Sequence, residues 1–576
     1  MKQLMLGNEA VARGVYEAGC ELVFSYPGTP STEITEYVTK YDNIYAEWAP
    51  NEKVALEAAI GASMVGARAF CAMKHVGLNV AADPLFTAAY TGVSGGLVIA
   101  VADDPGMFSS QNEQDTRAIA LAAKLPVLEP SDSMECIEYT KLAFEISETF
   151  DTPVILRLTT RVSHTASPVE KGEKKERRDI DYKKNAVKNV MVPANAKTRR
   201  IELEKRFKRL AEYAETSGIN REIQGENLGF ISCGVGYLYA REGAPQNSGH
   251  LKLSLTNPLP KKLIKDFASK YEKVYVVEEL DPIIENFCRS QGIDVIGKDL
   301  FSNYGEYSQN MIRERVSGIK TEHDGSDIEL PGRPPLLCSG CPHRAVFKAL
   351  KDLKLFVSGD IGCYALGAGA PLSAIDTTVC MGASVSGLHG VLKARPDMSD
   401  KAVAVIGDST FLHSGITGLI DIVYNGSNAT VIILDNRITG MTGHQHNPAT
   451  GFDIRGNEAP AIDLEKLCYA CGVSLVTVVD PCDFEASKEA VKQHLALGKP
   501  SVIIMKRPCI LLKNSLREKP FEVNAELCKS CKICIGIGCP SISFDKRAKI
   551  DKESCTGCGL CARICPFGAI SGGDDE

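Results

Sequence analysis

Asp408 and Asn436 are the residues from which a first chemistry can be read. One apolar run, Ala402 to Ile406, ends at Gly407-Asp408-Ser409, and a second, Ala429 to Leu434, ends at Asp435-Asn436. A helix-like stretch lies between them, so the order is strand, helix, strand. Such a unit predicts a right-handed parallel crossover whose ligand site lies at the carboxyl ends of its strands. Asp408, Asn436 and the backbone carbonyl of Ile438 then offer hard oxygens at one sheet edge. That set suits Mg²⁺, which completes its octahedron with phosphate and water. Gly440, Thr442 and Gly443 allow backbone and hydroxyl donors to approach the phosphates.

The tail carries a second chemistry. Cys528-x2-Cys531-x2-Cys534-x4-Cys539-Pro is followed by Cys555-x2-Cys558-x2-Cys561-x3-Cys565-Pro. This is the two-cluster ferredoxin pattern, in which the fourth cysteine of each run ligates the other cluster. One [4Fe-4S] cluster is expected on Cys528, Cys531, Cys534 and Cys565, the other on Cys555, Cys558, Cys561 and Cys539. Zinc is the alternative, and the interleaved runs with trailing prolines disfavour it. The first run has one residue more than the second, which predicts a bulge near Gly536.

Composition bounds the rest. A chain of 576 residues with 44% hydrophobic and 24% charged residues reads as a multidomain globular protein. A net charge of −7 argues against nucleic acid as a partner. The start, MKQLMLGNEA, shows no signal-peptide core, and no apolar run is long enough to span a membrane. Of the 21 cysteines, eight crowd into the tail and the others show no disulfide framework, so a reducing, oxygen-poor cytoplasm is expected.

The GDS and DN tips, with 25 residues between them, resemble the thiamine diphosphate (TPP) motif. Ser409 and Asp435 depart from it at positions not needed as metal ligands. The segment NEKVALEAAIGASMV resembles the TPP-activating helix, and Glu52, followed by Ala55, Ala58, Ala59 and Gly61, stands where that carboxyl group stands. Such a carboxyl group hydrogen-bonds the aminopyrimidine and promotes the tautomer that deprotonates C2. Glu57 is the rival carboxylate. A solvated acid at a helix start is the plainer alternative for Glu52.

YPGTPSTEI, NEKVALE, KHVGLN and CSGCPHR, with the cysteine tail, are similar to the large subunit of the indolepyruvate:ferredoxin oxidoreductases, within the wider 2-oxoacid:ferredoxin oxidoreductases. The resemblance covers nearly the whole chain. It implies that Thr29 lies beside the substrate carboxylate, that Lys74 and His75 line the same pocket, with a plain buried or surface role the alternative for each, and that His75 takes part in catalysis. An arginine of pyruvate-specific relatives has no match in VADDPGM, which weakens pyruvate as substrate. It also implies a third, proximal [4Fe-4S] cluster on Cys338, Cys341, Cys363 and Cys509, four thiols that spacing alone leaves as independent core residues. Cys468 and Cys471, in LEKLCYACGV, read as core.

The expected fold class is α/β and multidomain: two TPP-binding doubly wound domains, a smaller α/β domain, and a C-terminal two-cluster ferredoxin-like α+β domain. Residues 1–165 read as the pyrimidine-type domain and 166–226 as a charged, solvated connector, with RRIELEKRFKRL as an exposed basic face. Residues 227–329 match a transketolase C-terminal-like α/β domain, 330–515 the diphosphate-type domain, and 516–576 the ferredoxin domain. Within the first region, Ser31 or Thr32 is placed to cap a helix, and GGLVIAVADD and PVILRL read as buried parallel strands.

A TPP decarboxylase that protonates its enamine needs no iron, whereas fused clusters offer a one-electron route out, so oxidation is the better reading. The resemblance implies oxidation of an aryl pyruvate, indolepyruvate first, with coenzyme A as acyl acceptor and ferredoxin as electron acceptor. It further implies a small beta subunit of the gamma-domain type, in a heterodimer or heterotetramer. A non-redox TPP lyase and an electron-transfer subunit with a degenerate TPP fold are the competing readings.

Overall fold

The computed structural model describes residues 2–176, 182–320, 331–513, 515 and 517–572. They form two compact units, Met1–Asp327 and Ile328–Glu576. Residues 177–181 of the expected connector lie outside the described residues.

The first unit is built on a seven-stranded sheet in the order Leu255–Asn257, Val127–Leu128, Val154–Thr159, Leu97–Asp103, Ala69–Lys74, Leu22–Ser25, Tyr45–Trp48. All neighbours are parallel except the first pair. The central strands are buried along their whole length, as LVIAVAD and VILRLT predict for a sheet covered on both faces. Helices Glu52–Met64 and Ala82–Thr91 supply small residues to that core, so backbone packs close to backbone.

The segment at 193–216 departs from its sequence reading. Helix Pro193–Thr216 exposes most of its basic residues, yet Leu203, Arg206 and Leu210 are buried. Leu203 joins the core of the first sheet, and Arg206 donates to the Ala89 carbonyl and to Asp151. The stripe is therefore docked along one face. Arginine stems cover apolar surface while their heads find acceptors, which a charge count misses.

The expected third region builds a four-stranded sheet, in the order Lys273–Val277, Glu226–Cys233, Ser248–Leu253, Arg221–Ile223, whose last strand comes from the end of the expected connector. It also lends strand Leu255–Asn257 to the edge of the first sheet. A buried ionic network crosses the same boundary. Arg117 pairs with Asp115 at 2.6 Å and with Glu278 at 2.7 Å, while Arg157 pairs with Asp103 and Glu129, both at 2.6 Å.

The second unit holds a six-stranded, wholly parallel sheet in the order Thr377–Thr378, Phe356–Gly359, Ala402–Gly407, Thr430–Asp435, Ser501–Lys506, Leu475–Val479. Cores on both of its faces bury the apolar runs read from the sequence. The tail adds two antiparallel pairs, Phe521–Val523 with Ile570–Gly572 and Ile542–Asp545 with Arg547–Ile550. The extra residue of the first cysteine run is taken up by a 3₁₀ turn, Cys534–Ile537, closed by Gly538 at φ 64°. No described helix is long and apolar enough to cross a membrane.

Candidate cofactor site and cysteine clusters

In the second unit the strand register sets Gly407 beside Leu434, so Asp408 and Asp435 emerge together at the carboxyl edge. Asp408 opens a short helix that continues as a π-helix, Phe411–Gly415, a rare form found often at functional sites. Burial pushes the Asp408 carboxyl up to about 7, and the neighbouring Asp435 adds to the rise. Only the backbone N–H of Ser409, the side chain of Asn447 at 3.3 Å and the Arg437 charge oppose it. An oxygen so short of positive charge fits a cation ligand. Asn436 is 9% exposed, its Oδ1 accepting from the Ile438 N–H at 3.2 Å.

The loop beyond holds the expected phosphate donors. The Thr439 hydroxyl donates to Ser409 Oγ at 3.0 Å, and Thr442 donates to Gln445 Oε1 at 2.5 Å. Gly443 adopts φ 122°, which a side chain rarely tolerates. A Cβ added at Gly440 would stand 3.5 Å from Cys363 Sγ and 3.9 Å from Asn436 Nδ2. The oxygen-bearing loop thus runs directly against a cysteine.

That cysteine has company. Burial pushes the Cys341 thiol up to about 12, with the Cys338 and Cys509 sulfurs adding to the rise. Cys363 is raised to about 11 by burial, then by Cys509 and Cys338. The Cys509 N–H donates to the Asn436 carbonyl at 2.9 Å, and its sulfur lies 3.9 Å from His444 Nε2. The fold therefore gathers four thiols that lie up to 171 positions apart in the chain, as Cys338 and Cys509 do. By contrast, Cys468 is fully buried in helix Leu464–Ala470 and stays a core residue.

In the tail, sulfurs of the two cysteine runs neighbour one another. Cys534 is raised by burial and then by Cys531, Cys528 and Cys565. Cys561 is raised to about 12 by burial and then by Cys558, Cys555 and Cys539. Among the described residues no three His, Cys, Asp or Glu side chains converge on a single metal ion. A cubane cluster does not ask for that, since each thiolate binds a different iron. Cys528, Cys531, Cys534 and Cys565 line one cavity, which fits an iron–sulfur group better than zinc.

In the first unit Lys74 ends a parallel strand, and Thr29, Glu52 and His75 stand just beyond the carboxyl ends of parallel strands. Asn51 caps helix Glu52–Met64 by accepting from the Val54 N–H at 2.9 Å, which sets Glu52 at its first turn. Glu52 is 5% exposed. A Cβ on Gly77 would fall 2.5 Å from its Oε1, so the glycine makes the space its side chain fills. Glu57 is 47% exposed and pairs with Lys53 on the surface.

Lys74 is pushed down to about 8 by burial, with Asp104 and Glu52 pulling it back up. Its Nζ donates to the Ser109 carbonyl at 2.5 Å. His75 is buried, Nε2 lying 3.2 Å from the Asn112 carbonyl, and among the described residues its Nδ1 has no hydrogen-bond partner. Thr29 is half-buried in the turn whose Gly28 packs on Lys74. The Ser31 hydroxyl donates to the Gly28 carbonyl at 2.8 Å and so ties down this turn, where a helix cap was expected. Gly77, Asn447 and His444 were not foreseen. Gly77 alone had a sequence signal, in KHVGLN.

Comparison with known proteins agrees with these two units. Residues 13–215 match the family model "Pyruvate flavodoxin/ferredoxin oxidoreductase, thiamine diP-bdg". Residues 360–505 match "Thiamine pyrophosphate enzyme, C-terminal TPP binding domain", and 548–571 match "4Fe-4S binding domain". The chain is 41% identical to the indolepyruvate oxidoreductase subunit IorA of Archaeoglobus fulgidus, over 99% of this chain and 97% of the relative. It is 43% identical to that of Methanothermobacter marburgensis, over 98% and 96%. A 2-oxoglutarate synthase subunit KorA of Archaeoglobus fulgidus is 26% identical over 51% of this chain and 94% of its own length. TPP and iron–sulfur chemistry are thus this chain's own, and its activity is ferredoxin-dependent oxidation of a 2-oxoacid. The chain belongs to the indolepyruvate oxidoreductase IorA family of the 2-oxoacid:ferredoxin oxidoreductases.

Proposed function

We propose that the substrate is an aryl pyruvate, indolepyruvate first, and that the chain converts it with coenzyme A to the aryl acetyl-CoA, CO₂ and reduced ferredoxin. The observation that carries the redox part is the Cys363 sulfur set against Gly440 in the oxygen-bearing loop, with Cys509 bonded to Asn436. An electron released at the cofactor would find an acceptor held against the same loop. The naming of the relatives as subunits supports a second subunit, which we take to be a small one of the gamma-domain type. We keep the five-region division, with the region at 227–329 bound to the first sheet through strand Leu255–Asn257.

Asp408 and Asn436, with the Ile438 carbonyl, would hold Mg²⁺ and through it the diphosphate; Ser409, Thr442 and the glycines at 407, 440 and 443 would face its oxygens. Glu52 would hold the proton on the aminopyrimidine side. Thr29 would donate to the substrate carboxylate, beside which the Lys74 ammonium offers an opposite charge. His75, its Nδ1 unpartnered, would hold or release a proton near the keto oxygen. When bound, TPP supplies a carbanion equivalent that adds to the keto carbon and lets CO₂ leave. Three [4Fe-4S] clusters, on the three cysteine quartets, would carry electrons one at a time toward ferredoxin.

An anaerobic assay of the chain with its partner subunit, indolepyruvate and a viologen dye tests this reading. Dye reduction that requires coenzyme A is expected, faster with aryl pyruvates than with pyruvate. Aldehyde release without dye reduction would instead mark a non-redox lyase.

A further inference from the structure

Arg344 closes the CSGCPHR stretch, and neither the metal loop nor the cysteine quartets use it. It is 3% exposed, in the first turn of helix His343–Asp352. Its Nε donates to the Cys338 carbonyl at 3.0 Å and its Nη2 to the Leu337 carbonyl. Its Nη1 donates to the Ile537 carbonyl at 3.1 Å and to that of Gly538. One guanidinium therefore joins the turn bearing Cys338 and Cys341 to the turn that leads into Cys539.

The same junction is tight elsewhere. Ser339 Oγ lies 2.8 Å from Ser541 Oγ, which also accepts from Ser554 at 2.9 Å. Gly340, at φ 69°, lies so close to the Cys555–Cys558 turn that a Cβ would fall 2.0 Å from Thr556 Oγ1. The candidate proximal quartet and the Cys539 quartet thus abut through this loop.

Among the described residues, every hydrogen bond of the guanidinium ends on a backbone carbonyl. The guanidinium is buried, and among the described residues no carboxylate pairs with it. A buried cation without a carboxylate is unfavourable unless other negative charge faces it. Clusters bound on the two adjoining quartets would supply that charge.

We infer that Arg344 is a positioning residue for electron transfer: the shared cation between the Cys338/Cys341/Cys363/Cys509 cluster and the Cys539/Cys555/Cys558/Cys561 cluster. It favours the reduced, more negative form of both and fixes the loop that separates them. The inference rests on reading those quartets as [4Fe-4S] clusters. Each step is a single electron exchange. The donor cluster loses one electron as the acceptor gains one, with no bond made and no proton moved, and ferredoxin is the terminal oxidant.

The test is a reductive titration, followed by electron paramagnetic resonance, of the anaerobically purified chain with its partner subunit. In Arg344→Gln the two flanking clusters should become at least tenfold harder to reduce, about 59 mV for one electron. The Cys528/Cys531/Cys534/Cys565 cluster should not move, and Arg344→Lys should return both midpoints to near wild type. Unchanged midpoints in an iron-replete Arg344→Gln protein would overturn the inference, as would an equal shift in all three clusters. If Arg344→Gln loses iron, Arg344→Lys decides. Full iron with wild-type midpoints upholds the shared cation, and iron loss there too leaves only a mechanical clamp and overturns it. Wild-type protein holding only about 8 irons would sink the three-cluster reading itself.

Discussion

Gly77→Ala probes the activating carboxylate without touching it. The added Cβ would stand 2.5 Å from Glu52 Oε1, 2.6 Å from Cγ and 2.8 Å from Cδ. All three are closer than a Cβ tolerates, and they span the buried end of the side chain, so a small tip rotation gives no relief. Overpacking of this kind costs about 1–3 kcal/mol when the neighbours hold still. The cheaper response is for the Glu52 carboxyl to move. A shift of about 1 Å in a positioned group lowers turnover roughly 100-fold, equivalent to about 2.7 kcal/mol of barrier. Viologen reduction with indolepyruvate and coenzyme A would measure the loss, and a melting scan would confirm the fold. Lys53→Ala, which frees the surface carboxylate of Glu57, should leave the rate unchanged. A folded Gly77→Ala protein within twofold of wild-type turnover would refute the role given to Glu52.

Asp408→Ala should abolish retention of TPP, because it removes the one anionic oxygen of the metal set; wild-type TPP content in the purified variant would place the metal elsewhere. Cys509→Ala should lower iron from about 12 to about 8 per chain with both tail clusters intact, and unchanged iron would remove the proximal cluster. Burial raises Glu279 to about 7, against the Tyr307 N–H and the Arg157 charge that favour its ionised form. Its folded pKa exceeds its unfolded one, so its stabilising contribution is complete below about pH 4.5 and is lost as pH rises to about 7, a loss on the order of 3 kcal/mol. Glu279→Gln should therefore gain melting temperature over wild type at pH 8 relative to pH 5; a pH-independent difference between the two proteins would contradict that titration.

The sequence made legible whatever depends on local period and spacing. The apolar runs around Asp408 and Asn436 predicted two adjacent parallel strands, and Ala402–Gly407 and Thr430–Asp435 are those strands. The cysteine runs predicted interleaving, and Cys534 and Cys565 line the same cavity. Contacts made by distant segments were out of reach. Cys363 and Cys509 follow strands Phe356–Gly359 and Ser501–Lys506 of one sheet, and Cys338 precedes helix His343–Asp352; spacing does not encode that these segments approach one another. Arg206 and Arg117 were read or passed over as surface charge, because only the fold supplies Asp151, Asp115 and Glu278 to receive them. The Gly77 of KHVGLN carries its reason only in the fold, where the Glu52 side chain fills the place of its missing Cβ.

The central claim is that electrons from a 2-oxoacid enter iron–sulfur clusters held by this chain. Rapid freeze-quench electron paramagnetic resonance after mixing the anaerobic enzyme with indolepyruvate tests it most directly. The account predicts reduced [4Fe-4S] signals appearing as CO₂ is released, faster with coenzyme A present, and absent from Glu52→Gln. Release of CO₂ with every cluster remaining oxidised would contradict it.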